Sequence, residues 1–159
     1  MTTKARETVL INDVGPRDGL QNQSKILTAD QRGSIIASLV KAGLKAIEVG
    51  AFVSPKVVPA MAHTDSIAAS LPAQEVNYSA LIPNRRGYDL ARACDIKSVN
   101  MVVAATDTMN KENIGMTTDR AMAVSREVIE QGRRDEVVTQ AYIATAWVCP
   151  LEGAVAEKT

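Results

Sequence analysis

Aromatic residues and histidine are scarce in this sequence of 159 residues: aromatics make up 3%, and His63 is the single histidine. A core with few aromatics must be filled by aliphatic side chains, which is usual for parallel strands covered by helices. One histidine makes a poor metal site, so we assign His63 no role. The two cysteines, Cys94 and Cys149, are too few to indicate a small disulfide scaffold.

Charge and hydropathy exclude two further classes of partner. The formal net charge is zero, so the sequence carries no electrostatic footprint for nucleic acid. There is also no apolar run long enough to span a membrane. The segment Met1–Lys4 has no apolar signal core, so we expect a cytoplasmic protein. The length is that of one domain, which we expect to occupy residues 1–159.

Short apolar strands alternate with amphipathic segments along the chain. Such alternation predicts βαβ units and a parallel sheet, hence an α/β fold. Right-handed crossovers bring the loops that follow the strands to one edge of that sheet. Strands are predicted at 9–11, 44–49, 76–82, 98–104 and 137–146. Helices are predicted from a Thr28 cap with a Gln31 capping box to Gly43, at 66–71, at 87–93, and from a Thr117 cap to a stop at Gly132.

A charged pair follows the first predicted strand. Gly15 and Pro16 end the apolar run, and Arg17 and Asp18 come directly after them. The carboxyl ends of parallel strands are where ligands bind in open α/β sheets and in (β/α) barrels. A guanidinium can bind carboxylate or enolate oxygens, and a carboxylate can bind a divalent cation. Glu48 lies in an apolar strand, where a buried carboxylate needs a basic partner, and Arg17 is the candidate.

Residues 12–22 resemble the first-strand signature of the 3-hydroxy-3-methylglutaryl-CoA lyase family, whose members are metal-dependent lyases on a (β/α)8 barrel. The likeness continues in the family's order through Ile47–Lys56, Pro83-Asn84, Lys111–Ile114 and Cys149–Gly153. It implies a partial TIM barrel of about five parallel strands, the amino-terminal part of the family's eight. The family's usual Trp and Gln in the second loop are replaced by Val57 and Ala60, which affects the acyl pocket.

The resemblance also implies a reaction and a set of site residues. The reaction is retro-Claisen cleavage of 3-hydroxy-3-methylglutaryl-CoA to acetyl-CoA and acetoacetate, in leucine degradation and ketone-body formation. Magnesium or manganese would be the cofactor and the acyl-CoA thioester the substrate. By the same resemblance Arg17 and Glu48 are catalytic and Asp18 ligates the metal. Arg17, Gln21, Ser54, Tyr142 and Asn113 would bind substrate.

Alternative interpretations remain open. The family's later His-x-His metal ligands and late catalytic cysteine have no counterpart in these residues, and five strands cannot close an eight-stranded barrel. We therefore expect either a fragment of a longer product, inactive by itself, or an open sheet that hides its edges by self-association. A related condensing enzyme, similar to 2-isopropylmalate synthase, is a second candidate function. A non-catalytic chain that binds a ligand or a partner is a third.

Overall fold

Five parallel strands form the sheet of the computed structural model, which describes residues 8–157. The strands pair in chain order: β1 (Asn12–Asp13), β2 (Ala46–Ala51), β3 (Asn77–Leu81), β4 (Ser98–Ala104) and β5 (Val138–Ala144). A small antiparallel hairpin follows, made of β6 (Val148–Cys149) and β7 (Gly153–Ala154). The predicted parallel sheet of about five strands is confirmed.

Helices connect the strands. They are α1 (Ala29–Lys41), α2 (Thr64–Ala69), α3 (Arg85–Ala93), α4 (Asp107–Ile114) and α5 (Thr118–Arg134). Two short turns add to them: a π-helical turn at Gly15–Gly19 and a 3₁₀ turn at Pro59–Met61. In the range 8–157, every helix is too short or too polar to cross a membrane.

The two faces of the curved sheet differ in polarity. The face under the helices carries aliphatic side chains such as Ile47, Val99 and Met101, which pack with Ile36 of α1 and Val128 of α5 in one core. The opposite, concave face encloses a cavity of about 250 Å³. Polar side chains line much of it: Asn12, Asn77, Ser79, Ser98, Asn100, Gln140 and Tyr142. The strands therefore carry a polar surface on one side and a packed apolar core on the other.

Helix α1 begins and ends as its sequence predicts. The Thr28 hydroxyl accepts a hydrogen bond from the Gln31 amide, and the Gln31 side chain accepts one from Thr28 N–H. At the other end Gly43 takes a φ of +96°, a conformation that glycine adopts without strain. The Gly43 and Leu44 amides donate to carbonyls of the last turn, which forms a Schellman cap.

Two predicted segments were wrong in detail, and one helix was not predicted. The ladder of β1 begins at Asn12, after the apolar run, because its partner β2 begins at Ala46, opposite Asn12. Residues 107–114 form helix α4, which lacks the apolar periodicity that predicts a helix. Helix α5 continues through Gly132 to Arg134. Gly132 is a point of close approach, since a Cβ there would lie 2.5 Å from the Thr139 side chain.

A β-bulge interrupts β2 directly after Glu48. Glu48 lies opposite Ser79, but Gly50 lies opposite the next residue, Ala80, so Val49 is the extra residue. A Cβ at Gly50 would come within 2.6 Å of Thr64 Oγ1 and 2.7 Å of an Arg32 nitrogen. The bulge therefore requires a glycine. It bends β2 just before the loop that follows the strand, at the rim, by which we mean the edge of the sheet formed by the carboxyl ends of the strands.

Candidate active site

A tight turn at the end of β1 aims Arg17 at β2. The Val14 carbonyl accepts backbone hydrogen bonds from Arg17 and Asp18 at 3.1 and 2.8 Å. The Asp13 carboxylate accepts another from Gly15 N–H at 2.9 Å. Pro16 is buried within the turn and fixes its own φ. The turn is thus held by short local bonds, which leaves the Arg17 side chain free to reach the neighbouring strand.

Arg17 and Glu48 form a short, largely buried ion pair. Arg17 Nε donates to Glu48 Oε2 at 2.6 Å. The Glu48 side chain is 0% exposed and that of Arg17 is 13% exposed, so little water screens the pair. Arg17 NH1 also donates to Asp18 Oδ1 at 2.6 Å, but the Asp18 side chain is 64% exposed. The proximity of Arg17 and Glu48 expected from sequence is confirmed.

Asn100 on β4 contacts the same carboxylate from the other side. Its Nδ2 donates to Glu48 Oε1 at 2.7 Å and to Ser79 Oγ at 3.3 Å. Each Glu48 oxygen thus has its own donor, one from β4 and one from the turn after β1. Sequence reasoning missed Asn100. A usable signal was present, because an asparagine inside an apolar, β-branched strand must find a partner if it is buried.

The bonds that Arg17 makes decide which of its donors remain available. A guanidinium carries five N–H donors in a planar fork. Glu48 takes the one at Nε and Asp18 takes one at NH1, and within the described chain no bond uses NH2. Arg17 is therefore oriented by one carboxylate while it keeps donors for an incoming oxygen at the rim. Such a preorganised cation can stabilise an oxyanion as negative charge develops on it.

The other four predicted substrate residues lie on four different segments of the chain. Gln21 follows the turn after β1 and Ser54 lies in the loop after β2. These two loops are neighbours, because Leu20 and Val53 pack on one small apolar cluster. Tyr142 lies on β5 and lines the concave cavity, half-buried. Asn113 is exposed on α4. Among residues 8–157, no hydrogen bond joins any of the four predicted residues to Arg17.

Helix α4 is fixed to the rim on both sides. The Asn110 side chain bonds both backbone groups of Ala104, at the end of β4, at 2.8 Å each. On the other side Glu152 Oε1 accepts from Thr108 N–H at 3.0 Å. Cys149 lies 3.1 Å from the Thr106 hydroxyl, and this hydrogen bond lowers the pKa of its thiol. Asn113 therefore stands on a rigid support at the rim.

A buried arginine, Arg32, was also missed by sequence reasoning. It is 1% exposed and reaches from α1 beneath the bulge of β2. Its guanidinium donates to the Ala62 carbonyl at 2.8 Å and to the Val49 carbonyl at 3.4 Å. Burial lowers its pKa. Since its spacing of four residues from Ile36 places it on the buried face of α1, the sequence did contain a signal for it.

The donor set at the rim does not by itself make a divalent-cation site. Between residues 8 and 157, no three His, Cys, Asp or Glu side chains come together as metal ligands. Asp18 is exposed enough to bind a cation, but Arg17 already holds one of its oxygens. Hard cations such as magnesium take about six oxygen ligands, so Asp18 can supply at most a small part of such a shell.

Comparison with known proteins shows what this chain is similar to. The profile of the HMGL-like family matches residues 8–153. The hydroxymethylglutaryl-CoA lyase of Pseudomonas mevalonii is 36% identical over 151 residues, 94% of this chain and 50% of the relative. The (R)-citramalyl-CoA lyase of Chloroflexus aurantiacus is 39% identical, again over 94% of this chain and 50% of the relative. The chain thus spans about half the length of these curated relatives.

Solved structures agree with the sequence matches. An HMG-CoA lyase from Acinetobacter baumannii, in complex with coenzyme A and 3-methylmalate, superposes with a TM-score of 0.90 at 30% identity. The match covers 98% of this chain and 51% of that one. An HMG-CoA lyase from Bacillus subtilis gives a TM-score of 0.90 at 32% identity. The five strands are accordingly a curled half of a TIM barrel, and the chain belongs to the HMGL-like family.

Proposed function

We propose that this protein acts as a carbon–carbon lyase on a 3-hydroxyacyl-CoA thioester, with 3-hydroxy-3-methylglutaryl-CoA as the first candidate substrate. The observation that carries the proposal is the Arg17 guanidinium, held at the end of β1 by the buried Glu48 carboxylate. Support also comes from relatives named as CoA lyases, 36% and 39% identical to this chain.

The reaction proposed is a retro-Claisen cleavage. A base removes the proton of the tertiary hydroxyl, and the electron pair of that O–H bond becomes the new carbonyl of acetoacetate. The carbon–carbon bond breaks, and its electron pair passes to the thioester as an enolate. Arg17 donates from its free NH2 group to the enolate oxygen as charge builds there. Protonation of the enolate carbon then gives acetyl-CoA.

Glu48 and Asp18 take supporting roles in this proposal. Glu48 orients Arg17 and compensates its charge, and it stays bonded through the reaction. Asp18 would give one oxygen to a divalent cation, magnesium or manganese, which would polarise substrate oxygens when bound. Because the other ligands of such a cation are not assigned among residues 8–157, no step is assigned to it. Gln21, Ser54, Tyr142 and Asn113 are proposed to contact the acyl or CoA part of the substrate.

A citramalyl-CoA thioester is the second candidate substrate. It is favoured by the 39% identity to the (R)-citramalyl-CoA lyase, the higher of the two identities quoted above. Cleavage of either thioester would release acetyl-CoA through the same enolate, so the same role for Arg17 serves both. The loop after β2, where Val57 is 77% exposed, is proposed to decide which of the two thioesters is bound. Each relative quoted above carries the name of a lyase, and we assign no condensing activity.

The test offers each of the two thioesters to the purified chain, with magnesium or manganese, and measures acetyl-CoA. We expect acetyl-CoA from one of them, and the second product, a keto acid, identifies which. Arg17→Lys keeps a charge but loses the planar fork, so it should lower the rate by roughly 100-fold or more. Arg85→Lys, at an exposed ion pair, is the matched control. Absence of acetyl-CoA from a folded chain would favour a non-catalytic binding protein.

Self-association and location form the last part of the proposal. Both sheet edges carry exposed apolar side chains, with Leu10 at 65% near β1 and Ile143 at 72% on β5. Unpaired edges of this kind favour contact with another chain. We propose that the chain associates with itself, and light scattering after size-exclusion chromatography tests it; a monomer would contradict it. A cytoplasmic place in leucine degradation and ketone-body formation is proposed from the resemblance alone.

A further inference from the structure

Asn100 is a buried polar residue that is only partly satisfied by its own hydrogen bonds. It lies in the middle of β4, is 1% exposed, and gives its Nδ2 to Glu48 Oε1 and Ser79 Oγ. Its own Oδ1 is buried and has no hydrogen-bond partner among residues 8–157. An unpaired buried acceptor destabilises the fold because it has lost its hydrogen bonds to water. An apolar side chain at this position would avoid that cost.

The side-chain amide of Asn100 is oriented so that it donates to the Glu48 carboxylate, although this leaves its own oxygen unpaired among residues 8–157. Turning it over would place Oδ1 against Glu48 Oε1, and two acceptors would then face each other at 2.7 Å. The observed orientation therefore requires the amide to donate. With Arg17 on Oε2 and Asn100 on Oε1, both oxygens of Glu48 are held and the carboxylate plane cannot rotate. A fixed carboxylate plane fixes the direction in which the Arg17 fork points.

We propose that Asn100 is a positioning residue, which holds the Glu48 carboxylate so that Glu48 in turn orients the Arg17 guanidinium toward the rim. This inference rests on the proposed function only for the catalytic meaning of the Arg17–Glu48 pair. The three residues come from the turn after β1, from β2 and from β4, and Glu48 and Asn100 are separated by 52 positions in the sequence. Through this contact β4, which lies two positions from β2 in the sheet, influences the orientation of the Arg17 guanidinium.

The test follows the Arg17 Nε–H group in ¹⁵N NMR spectra of the full chain. This hydrogen is bonded to Glu48 at 2.6 Å and should exchange slowly with solvent. Asn100→Leu should speed its exchange by roughly tenfold, the factor associated with losing one charge-assisted hydrogen bond. Ser79→Ala is the matched control, because it removes the other Nδ2 contact and leaves the bond to Glu48. It should change the exchange rate less than about twofold.

Two further variants separate positioning from stability. Asn100→Ser is a smaller change than Asn100→Leu and cannot reach Glu48, so it repeats the test if the leucine variant does not fold. In a Glu48→Gln background, Asn100→Leu should add little to the exchange rate, whereas a merely structural effect would add in full.

Unchanged exchange in both Asn100 variants would overturn the proposal, and so would an equal effect of Ser79→Ala. Because no substrate enters these spectra, the result is separate from the acetyl-CoA assay. A chain without lyase activity could still show the coupling, and an active chain could still lack it.

Discussion

Arg17, which is partly buried, and Arg32, which is fully buried, are compensated by different kinds of partner. Arg17 is 13% exposed and bonds two carboxylates, of which that of Glu48 is fully buried. Arg32 is 1% exposed, and in the described range its hydrogen bonds go to backbone carbonyls, the Thr64 hydroxyl and the Met61 sulfur. A buried cation is expensive unless it is paired or well bonded, and each is compensated by a different kind of partner.

The difference separates a cation that keeps donors for the proposed chemistry from one that ties the chain together. Arg17 is held by Glu48 and, among residues 8–157, its NH2 group makes no hydrogen bond. The Arg32 guanidinium donates to the carbonyls of Ala62 and Val49 and so ties the end of the loop after β2 back to that strand. Its Nε is buried and has no hydrogen-bond partner among residues 8–157. Ser54 lies in that loop. Arg32 therefore shapes the site through backbone, whereas Arg17 faces it directly.

The largest expected effect comes from removing Arg17. Arg17→Met would leave the buried Glu48 carboxylate with Asn100 as its one side-chain donor among residues 8–157, and breaking a buried pair costs about 3–5 kcal/mol. Urea unfolding, followed by circular dichroism, measures this change in the free energy of unfolding. The double variant Arg17→Met/Glu48→Gln removes the uncompensated charge and should recover most of the loss. A double variant as unstable as the single one would contradict this account.

A glycine substitution at the bulge should have the next largest effect. Gly50→Ala places a Cβ within 2.6 Å of Thr64 Oγ1 and 2.7 Å of the Arg32 guanidinium. Overpacking of this kind costs about 1–3 kcal/mol. Thr64→Ala should relieve part of the clash, so the double variant should be more stable than the sum of the two single changes. Strict additivity in urea unfolding would show that the strand moves aside instead.

Replacing Arg32 should cost less than replacing Arg17, although Arg32 is the more deeply buried. Arg32→Met leaves no carboxylate without a partner, and an apolar side chain of similar length removes the desolvation penalty of the charge. The carbonyls of Ala62 and Val49 lose a donor, so we expect a net change within about 1 kcal/mol. Hydrogen exchange of the Val57 and Val58 amides, which bond the Ser54 carbonyl at 2.9 Å, should quicken. A loss as large as that of Arg17→Met would remove the distinction between the two arginines.

Part of the contrast between Arg17 and Arg32 could be predicted from the sequence. The Arg17–Glu48 pair could be predicted, because a carboxylate in an apolar strand demands a partner and strand ends of a parallel sheet meet at one rim. The capped start of α1 could be predicted because Thr28 and Gln31 act within one turn. Both features depend on local chemistry or on the topology rule alone.

The remaining features depend on distances that local patterns do not encode. Asn100 reaches Glu48 across 52 residues, and the bulge at Val49 depends on how α1 and the loop after β2 pack. Helix α4 has a polar sequence and is held by Asn110 and Glu152 through contacts with β4 and the exit loop of β5. Tertiary contacts therefore decide these elements, and propensity does not.

The smallest expected effect on stability is at the surface, where Arg92 pairs with the Asp135 carboxylate. Arg92 is 39% exposed and lies 3.6 Å from Asp135, whose carboxylate also accepts from the Tyr88 hydroxyl at 2.7 Å and from Gln131 at 3.1 Å. The Tyr88 hydrogen bond is the main cause that lowers the pKa of Asp135. A lowered pKa means that this carboxylate stabilises the fold above the pKa of the unfolded chain, about 3.9, and loses that contribution as the pH falls through its folded value.

Urea midpoints of the wild type and of Asp135→Asn, measured from pH 6 to pH 2.5, test this sign. The two proteins should differ at pH 6 and converge in acid, because the wild-type carboxyl is then also neutral. Subtracting the variant removes the titration of the other acids, including Asp107, whose pKa is lowered by Lys111. A gap that stays constant with pH would mean that the Tyr88 contact acts through packing and not through charge. In that case the contacts of Asp135, like those of Arg32, would stabilise the fold without depending on a charged carboxylate. Of the three arginines compared, Arg17 alone would then depend on its carboxylate partner.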